Sequence, residues 1–222
     1  MKILLIVAMQ SELDGFLKHF NGEIILIHGI KVYKKIVNAK EIYLAKTEVG
    51  KVNAACLTTA LCLKIKPQYI INAGIGGGLT PSISLLDVVA SSKIAYHDFD
   101  LTAFGYQKGE MDNHQLYFKA STKLLNLLPD NVKKGLIVSG DQFVGEKQAF
   151  NFIKKDFPKA LVCDMEGCAI AHVATLLSRK FLIIRAVSDN VFLENQVSVY
   201  QDNKTLAIEK VVQIVSNLID KL

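Results

Sequence analysis

The sequence predicts an α/β fold: one domain over residues 1–222, built as a three-layer sandwich around a central, mostly parallel mixed sheet. Three observations carry this. The chain holds several short, continuous apolar runs, the pattern of strands buried on both faces. Helical patterns alternate with those runs, which demands crossover connections and helices covering both sides of the sheet. No Pro/Gly/Ser-rich linker, repeat or low-complexity tract interrupts the 222 residues, a length suited to one large core.

The elements follow in order. Lys2–Met9 is a first strand. Its apolar run superficially suggests a secretory leader, but it is short, and Glu12 and Asp14 follow with no small-residue cleavage site. Ser11 is placed to cap a helix running to about Phe20, with Asp14 three residues on in the manner of a capping box. Glu23–Val37 adds a hairpin around Gly29, and Glu41–Thr47 a strand. Val52–Ile65 is a helix ended by Pro67. Further strands fall at Tyr69–Ala73, Val88–Ala95, Gly135–Ser139, Ala160–Cys163 and Phe181–Val187. Gly167–Ser178 is helical, as is Lys204–Leu222, whose Leu206, Val211, Val212, Val215, Leu218, Ile219 and Leu222 form one stripe. In an open sheet of this kind ligands bind outside the carboxyl ends of the strands.

Composition narrows the function. A chain that is 50% hydrophobic and 21% charged is not disordered. Its net charge of +5 has no basic stripe behind it: the Lys-Lys pairs at 34–35, 133–134 and 154–155 are scattered among acids, so no nucleic-acid partner is expected. Cys56, Cys62, Cys163 and Cys168 show no CxxC spacing and lie in apolar stretches, which points to buried free thiols in a reducing compartment. No apolar run is long enough to span a bilayer, so no membrane partner is expected and the location is taken as cytoplasmic. His97 and Asp98 lack a third and fourth ligand at useful spacing, so no metal is expected. The aromatics Tyr96, Phe99, Phe104 and Tyr106 around them fit core or interface.

Chemistry concentrates at strand ends. Tyr69–Ala73 runs into Gly74-Ile75-Gly76-Gly77-Gly78. This is not a dinucleotide loop, because Leu79 replaces the third glycine of GxGxxG and Pro81 blocks an immediate helix. It reads either as a tight turn or as a bare loop that a small ligand can approach closely. Ala160–Cys163 leads to Asp164-Met165-Glu166, two acids able to grip a vicinal diol, or simply dipole partners of the next helix. Phe181–Val187 leads to Ser188-Asp189, a carboxylate at the mouth of the sheet or an Asx turn. Glu12 follows the first strand and reads as first-turn helix acidity or as a site group.

An ordered set of segments joins these signals. Ala8-Met9-Gln10-Ser11-Glu12, Val49-Gly50-Lys51-Val52-Asn53-Ala54-Ala55 and Asn72-Ala73-Gly74-Ile75-Gly76-Gly77 come first. The run from Tyr96 through His97, Asp98, Phe99, Asp100, Leu101, Thr102, Ala103, Phe104 and Gly105 to Tyr106 continues it. Ser139-Gly140-Asp141-Gln142-Phe143, Asp164-Met165-Glu166 and Arg185-Ala186-Val187-Ser188-Asp189 complete it. Together they resemble the 5′-methylthioadenosine/S-adenosylhomocysteine nucleosidases of the nucleoside phosphorylase superfamily, across nearly the whole chain.

The resemblance implies a nucleoside phosphorylase-like fold and hydrolysis of the N-glycosidic bond of an adenine nucleoside, with no metal or organic cofactor. It implies roles position by position. Glu12 matches the acid that orients and deprotonates water, and Asp189 the acid that protonates adenine N7, held by Ser188. Glu166 matches the residue on the ribose hydroxyls, with Met165 packing beneath the ribose. Phe143 resembles the residue stacked on adenine, and Val144 one whose backbone reads the purine edge. Arg185 resembles a basic residue near the water and ribose. Ile75 and Gly76 stand beside the water, Met9 lines the alkylthio pocket, and Leu101 and Phe104 resemble residues lent by a partner in a homodimer. Three departures stand out: Ile75-Gly76 replaces a frequent Ser-Ala, so Ile75 offers water no hydroxyl; Asp164 stands where Glu is frequent; and Gly167 stands where Ala is usual.

The residue types suit the reaction. Breaking a glycosidic C–N bond develops an oxocarbenium-like ribosyl cation, by analogy with glycoside hydrolysis. The purine leaves only when protonated, water needs a base on the opposite face, and negative charge beside the ribose stabilises the cation. A phosphorylase would instead need cations around phosphate, which Glu12 would repel. A non-catalytic nucleoside-binding protein would have no need of Glu12 or Asp189.

Overall fold

The computed structural model describes residues 1–112, 114–190, 192 and 196–222. In chain order the elements are β1 (Lys2–Val7), α1 (Gln10–Leu17), β2 (Glu23–Ile27), β3 (Ile30–Val37), β4 (Lys40–Lys46), α2 (Lys51–Ile65), β5 (Tyr69–Gly78) and β6 (Val88–Tyr96). A short 3-10 turn at Thr102–Phe104 precedes β7 (Phe118–Lys119), α3 (Thr122–Asn126), β8 (Lys133–Ser139), α4 (Lys147–Asp156), β9 (Ala160–Asp164), α5 (Gly167–Leu176), β10 (Lys180–Asn190) and α6 (Gln196–Lys221).

The apolar runs become strands buried on both faces because both sets of alternating side chains find a core. In β1, Ile3, Leu5 and Val7 join one cluster with α1 and α6, while Leu4 and Ile6 join a second with α2 and α5. β10 divides likewise, with Leu182, Ile184 and Ala186 on one side and Phe181, Ile183 and Val187 on the other. These two cores lie between the sheet and the helices on its opposite faces, and so separate the three layers. A third, smaller cluster seats α4 through Ile153 and Phe157 against Val138 and Leu136 of β8.

Ten strands form one mixed sheet. β1 pairs in parallel with β4 and β5, and β5 in parallel with β10. The far half curls closed: β10 pairs antiparallel with β6, β6 parallel with β8, β8 parallel with β9, and β9 antiparallel with β5 through Gly77 and Gly78. The hairpin expected at Gly29 is β2–β3, which extends the other edge through β4.

Several expectations change. The glycine run is neither a turn nor a loop but the last part of β5. The curl explains why it is glycine: a Cβ on Gly76 would lie 2.7 Å from the Cys163 carbonyl oxygen, and one on Gly78 2.9 Å from Asn190 Nδ2. Helix α1 starts before Ser11, with Met9 in extended conformation as its cap residue. Ser11 Oγ is buried without a hydrogen-bond partner, because Glu12 at the third helical position takes the capping role. Helix α6 begins two turns before Lys204, and Leu206 on its expected stripe is exposed. Cys56 is exposed, unlike the other three free cysteines. Helix α4, unforeseen, carries its signature in the spacing of Phe150, Ile153 and Phe157. Among the described residues no helix is long and apolar enough to cross a membrane.

Candidate active site

A cavity of about 400 Å³ opens where β1, β5, β9 and β10 end, the position an α/β sheet reserves for ligands. Ten of the residues singled out in the sequence line it: Met9, Glu12, Ile75, Gly76, Phe143, Val144, Met165, Glu166, Ser188 and Asp189. A larger groove of about 790 Å³ lies between α1, the β3–β4 hairpin and α6, but its charged groups, such as Lys18 and Glu209, are exposed and do not converge. The convergent chemistry belongs to the smaller cavity.

Glu12 is only 2% exposed, so it is not an ordinary solvated helix-start charge. Its Oε2 accepts the backbone N–H groups of Ala8 at 2.9 Å and Met9 at 3.0 Å, and its Oε1 that of Ile75 at 3.0 Å. Both oxygens are thereby fixed between the end of β1 and the glycine-rich end of β5. Gly74 makes room, since a Cβ there would sit 2.5 Å from Glu12 Oε1. Burial pushes the Glu12 carboxyl above its usual range, against the three N–H donors and the Arg185 guanidinium, which pull it down.

Asp189 lies near the end of β10, where a register shift between Val187 and Asp189 accommodates the pairing with Gly77. Ser188 Oγ donates to its Oδ1 at 2.7 Å. Burial raises the Asp189 carboxyl above its usual range, and the Ser188 bond opposes this only in part. A buried carboxyl so shifted holds a proton more readily than one in water, the condition a general acid requires.

The two acids of Asp164-Met165-Glu166 divide their tasks rather than sharing a diol. Asp164 Oδ2 pairs with Arg185 Nη2 at 2.7 Å, while Oδ1 accepts from Ser139 Oγ and from the Gly167 amide. Arg185 is almost fully buried, and its Nη2 also donates to Asn72 Oδ1 at 2.5 Å. It therefore lies beneath the cavity and not on its wall, with Nη2 4.0 Å from Glu166 Oε2. Asp164 and Glu166 both line the cavity, but Glu166 lacks the close Arg185 pair and is oriented by the Gly50 amide on Oε1 at 3.0 Å. Gly50 adopts φ +103°, a conformation that favours glycine. Burial first, then the Asp164 charge, raises the Glu166 carboxyl to about 7.

Phe143 stands half-exposed at the rim, and Val144 is buried behind it. Leu101 and Phe104 do not line the cavity of the single chain, and Phe104 is 78% exposed. His97, set aside as a metal ligand, is buried with Nε2 unpartnered, and among the described residues no group of three His, Cys, Asp or Glu side chains gathers to hold a metal. Sequence reasoning missed Cys163, Tyr200 and Gln201 on the cavity wall. Tyr200 sits on α6, beyond the last landmark at Asp189, and no local spacing signals its return to the site. Cys163 was legible only as a buried thiol.

The family model of the phosphorylase superfamily matches residues 2–220. The fold is similar to that of 5′-methylthioadenosine/S-adenosylhomocysteine nucleosidase from S. pneumoniae with a transition-state inhibitor, at 31% identity and TM-score 0.92, covering 99% of this chain and 98% of the other. It is similar to S-adenosylhomocysteine nucleosidase from Streptococcus pyogenes in complex with 5-methylthiotubericidin, at 30% identity and TM-score 0.93, covering 100% and 97%. It is also similar to futalosine hydrolase of Helicobacter pylori, at 26% identity and TM-score 0.93, covering 100% and 98%.

Proposed function

The chain belongs to the phosphorylase superfamily, and from that premise we infer that it is an N-glycosyl hydrolase cleaving 5′-methylthioadenosine and S-adenosylhomocysteine. The products are adenine and the corresponding thioribose, and 5′-deoxyadenosine is a further substrate of the same chemistry. One observation carries the hydrolytic reading. The described cavity wall holds the carboxylates Glu12, Asp164, Glu166 and Asp189 and no lysine or arginine. Phosphate entering there would meet carboxyl groups and no cation on the described wall, whereas water would meet a base. The nucleosidase neighbours at 30–31% identity support the same choice.

The proposed roles are those the resemblance implies, and the placement of the residues supports them. Protonated Asp189, held by Ser188, delivers its proton to the purine N7 as the C–N bond breaks, and the bonding electrons leave with adenine. Phe143 stacks on the base, and the Val144 backbone reads its edge. Glu166 holds the ribose hydroxyls over Met165, and its charge stabilises the ribosyl cation. Glu12 takes a proton from the attacking water. Its two oxygens sit near Gly74 and Ile75 while Asp189 sits against Gly77. Three residues of strand span roughly 10 Å, room for a ribose and a water between the groups. Arg185 fixes Asp164 and, at longer range, Glu166.

This reading extends to a single catalytic domain over residues 1–222, working as a cytoplasmic homodimer in methionine salvage and removal of methyl-cycle by-products. Its experiment is incubation of the protein with 5′-methylthioadenosine with and without phosphate. Adenine released without phosphate is the expected result. Adenine only with phosphate means a phosphorylase, and none at all a nucleoside-binding protein; either outcome overturns the hydrolase.

A further inference from the structure

Lys51 has no task in the mechanism, yet it binds together three segments that frame the site. It is the first residue of α2, while Asp98 follows β6 and Asp141 follows β8. Lys51 Nζ pairs with Asp98 Oδ2 at 2.5 Å and stands 3.6 Å from Asp141 Oδ2. The Lys51 amide donates to Asp141 Oδ1 at 2.8 Å, and the Asp141 amide donates to Asp98 Oδ2 at 2.9 Å. These contacts close a ring of one lysine and two aspartates. The Tyr96 ring lies 5.6 Å from the same Nζ and adds a cation–π contact.

The ring ends one residue away from the cavity. Gly50 precedes Lys51 as the cap residue of α2, and its amide donates to Glu166 Oε1 at 3.0 Å. Among the described residues that amide is the one hydrogen-bond donor to the Glu166 carboxyl. Two successive amides at the start of α2 thus each meet a carboxyl group, Gly50 that of Glu166 and Lys51 that of Asp141. Gly50, at φ +103° and without a side chain, enforces no conformation of its own, so the Lys51 end must be held for the Gly50 amide to point at Glu166. The ion pair adds little to stability, because the Lys51 and Asp98 side chains are 24% and 26% exposed and water screens such pairs. Its consequence is positional.

We propose that Lys51, clamped by Asp98 and Asp141, is a positioning residue that holds the Gly50 amide on Glu166 and so orients the carboxylate that grips the ribose. The proposal rests on the nucleosidase reading, which gives Glu166 its task, and deepens it. Without the ammonium group, two carboxylates that shared one cation are left to repel each other. Asp141 then releases the Lys51 amide, and Gly50 loses its orientation. Glu166 keeps its place in the chain but loses its orienting donor, and a misplacement of about 1 Å at a positioned group can cost about 10²-fold in rate.

The test is Lys51→Met, which keeps an unbranched side chain and removes its charge, beside Lys51→Arg, which keeps the charge. kcat/KM for 5′-methylthioadenosine is measured in the wild-type and Glu166→Gln backgrounds, with thermal melting alongside. Lys51→Met is expected to lower kcat/KM roughly tenfold or more in the wild-type background. In the Glu166→Gln background the carboxylate to be positioned is gone, and the same substitution should cost less than about twofold. Lys51→Arg should recover most of the activity. An equal loss in both backgrounds, or no loss in wild type, overturns the proposal. Selective isotope labelling of the fourteen glycines gives a second readout, few enough signals to follow one amide by NMR. The Gly50 signal should move in Lys51→Met towards its position in Glu166→Gln, and an unmoved signal overturns the proposal as well. If Lys51→Met melts early, Asp98→Asn removes the same ion pair and is read in the same way. If wild type cleaves neither 5′-methylthioadenosine nor S-adenosylhomocysteine, the hydrolase reading fails, and the Gly50 signal still decides whether Lys51 holds that amide on Glu166.

Discussion

Glu12 Oε1 accepts the amide of Ile75 at 3.0 Å, a contact that joins the first turn of α1 to the glycine-rich end of β5 across 63 residues of sequence. The side chain of Ile75 has no hydroxyl for water, but its backbone holds the carboxylate that would activate water. Whatever stands at position 75, its amide fixes that carboxylate, because Gly74 leaves the space for it.

Glu12→Gln tests the proposed base. The carboxylate accepts three backbone N–H groups, and an amide supplies only one acceptor oxygen. A buried donor facing the amide NH₂ costs about 1–3 kcal/mol, partly offset because no buried charge remains. The variant is expected to fold with a lowered melting temperature, to bind an iminoribitol inhibitor at least weakly and to lose about 10²-fold or more in single-turnover adenine release. Turnover within a few-fold of wild type would remove Glu12 from the mechanism.

Gly74→Ala reaches the same group without touching it. The new Cβ would stand 2.5 Å from Glu12 Oε1 and 3.2 Å from Cδ, so the carboxylate must leave the Ile75 amide. Overpacking of this kind costs about 1–3 kcal/mol, while turnover should fall nearly as far as in Glu12→Gln. Kinetics and melting on one preparation separate the two effects. Full activity would mean that the held position of Glu12 is irrelevant.

Asp189→Asn keeps shape but has no proton to give, and adenine release should fall by about 10²–10⁴-fold with binding nearly intact. Ser188→Ala should act on pH instead. The Ser188 hydroxyl stabilises the ionised Asp189, so its removal raises the carboxyl further. In the proposed mechanism the acid form is the active one, and the alkaline limb of the kcat profile should move to higher pH. A shift to lower pH would contradict the assignment.

Glu166 links stability to pH. Its carboxyl is raised from 4.5 to about 7. The folded state therefore holds this proton more tightly than the unfolded chain does. The resulting stability is complete below about pH 4.5, and it is lost as pH rises through about 7. Glu166→Gln has no such proton. Its melting temperature relative to wild type should rise between pH 5 and pH 8, and a constant difference would show that burial does not shift this group. Weaker binding and slower turnover together should accompany the substitution, since in the proposed mechanism one side chain serves ribose and cation.

The proposed homodimer is read from Leu101 and Phe104. A phenylalanine 78% exposed on the 3-10 turn after β6 contributes little to the single chain but can close a pocket in a neighbour. Sedimentation should show a dimer, and Phe104→Asp should leave melting of the fold nearly unchanged while weakening both association and turnover. A monomer fully active at high dilution would defeat this reading.

Most of the strands are legible in the sequence, because burial on both faces writes itself as an apolar run, as in Ile3–Val7 and Phe181–Val187, though β7 and the glycine end of β5 are not. The sequence also placed Glu12, Glu166 and Asp189 at strand ends, since chain order and apolar pattern locate those ends. Tertiary structure alone decided the rest. Which of Asp164 and Glu166 is left without a close ion pair on the cavity wall depends on Arg185, which arrives from β10 and takes Asp164 for itself. Whether Gly74–Gly78 turns or extends depends on β9 and β10 crowding against it as the sheet curls closed. Tyr200 reaches Met9 only because α6 packs back across the sheet, bringing together residues 191 positions apart. Local pattern reports what must be buried, whereas the partner that buries or frees a given polar group is a long-range contact with no local signal.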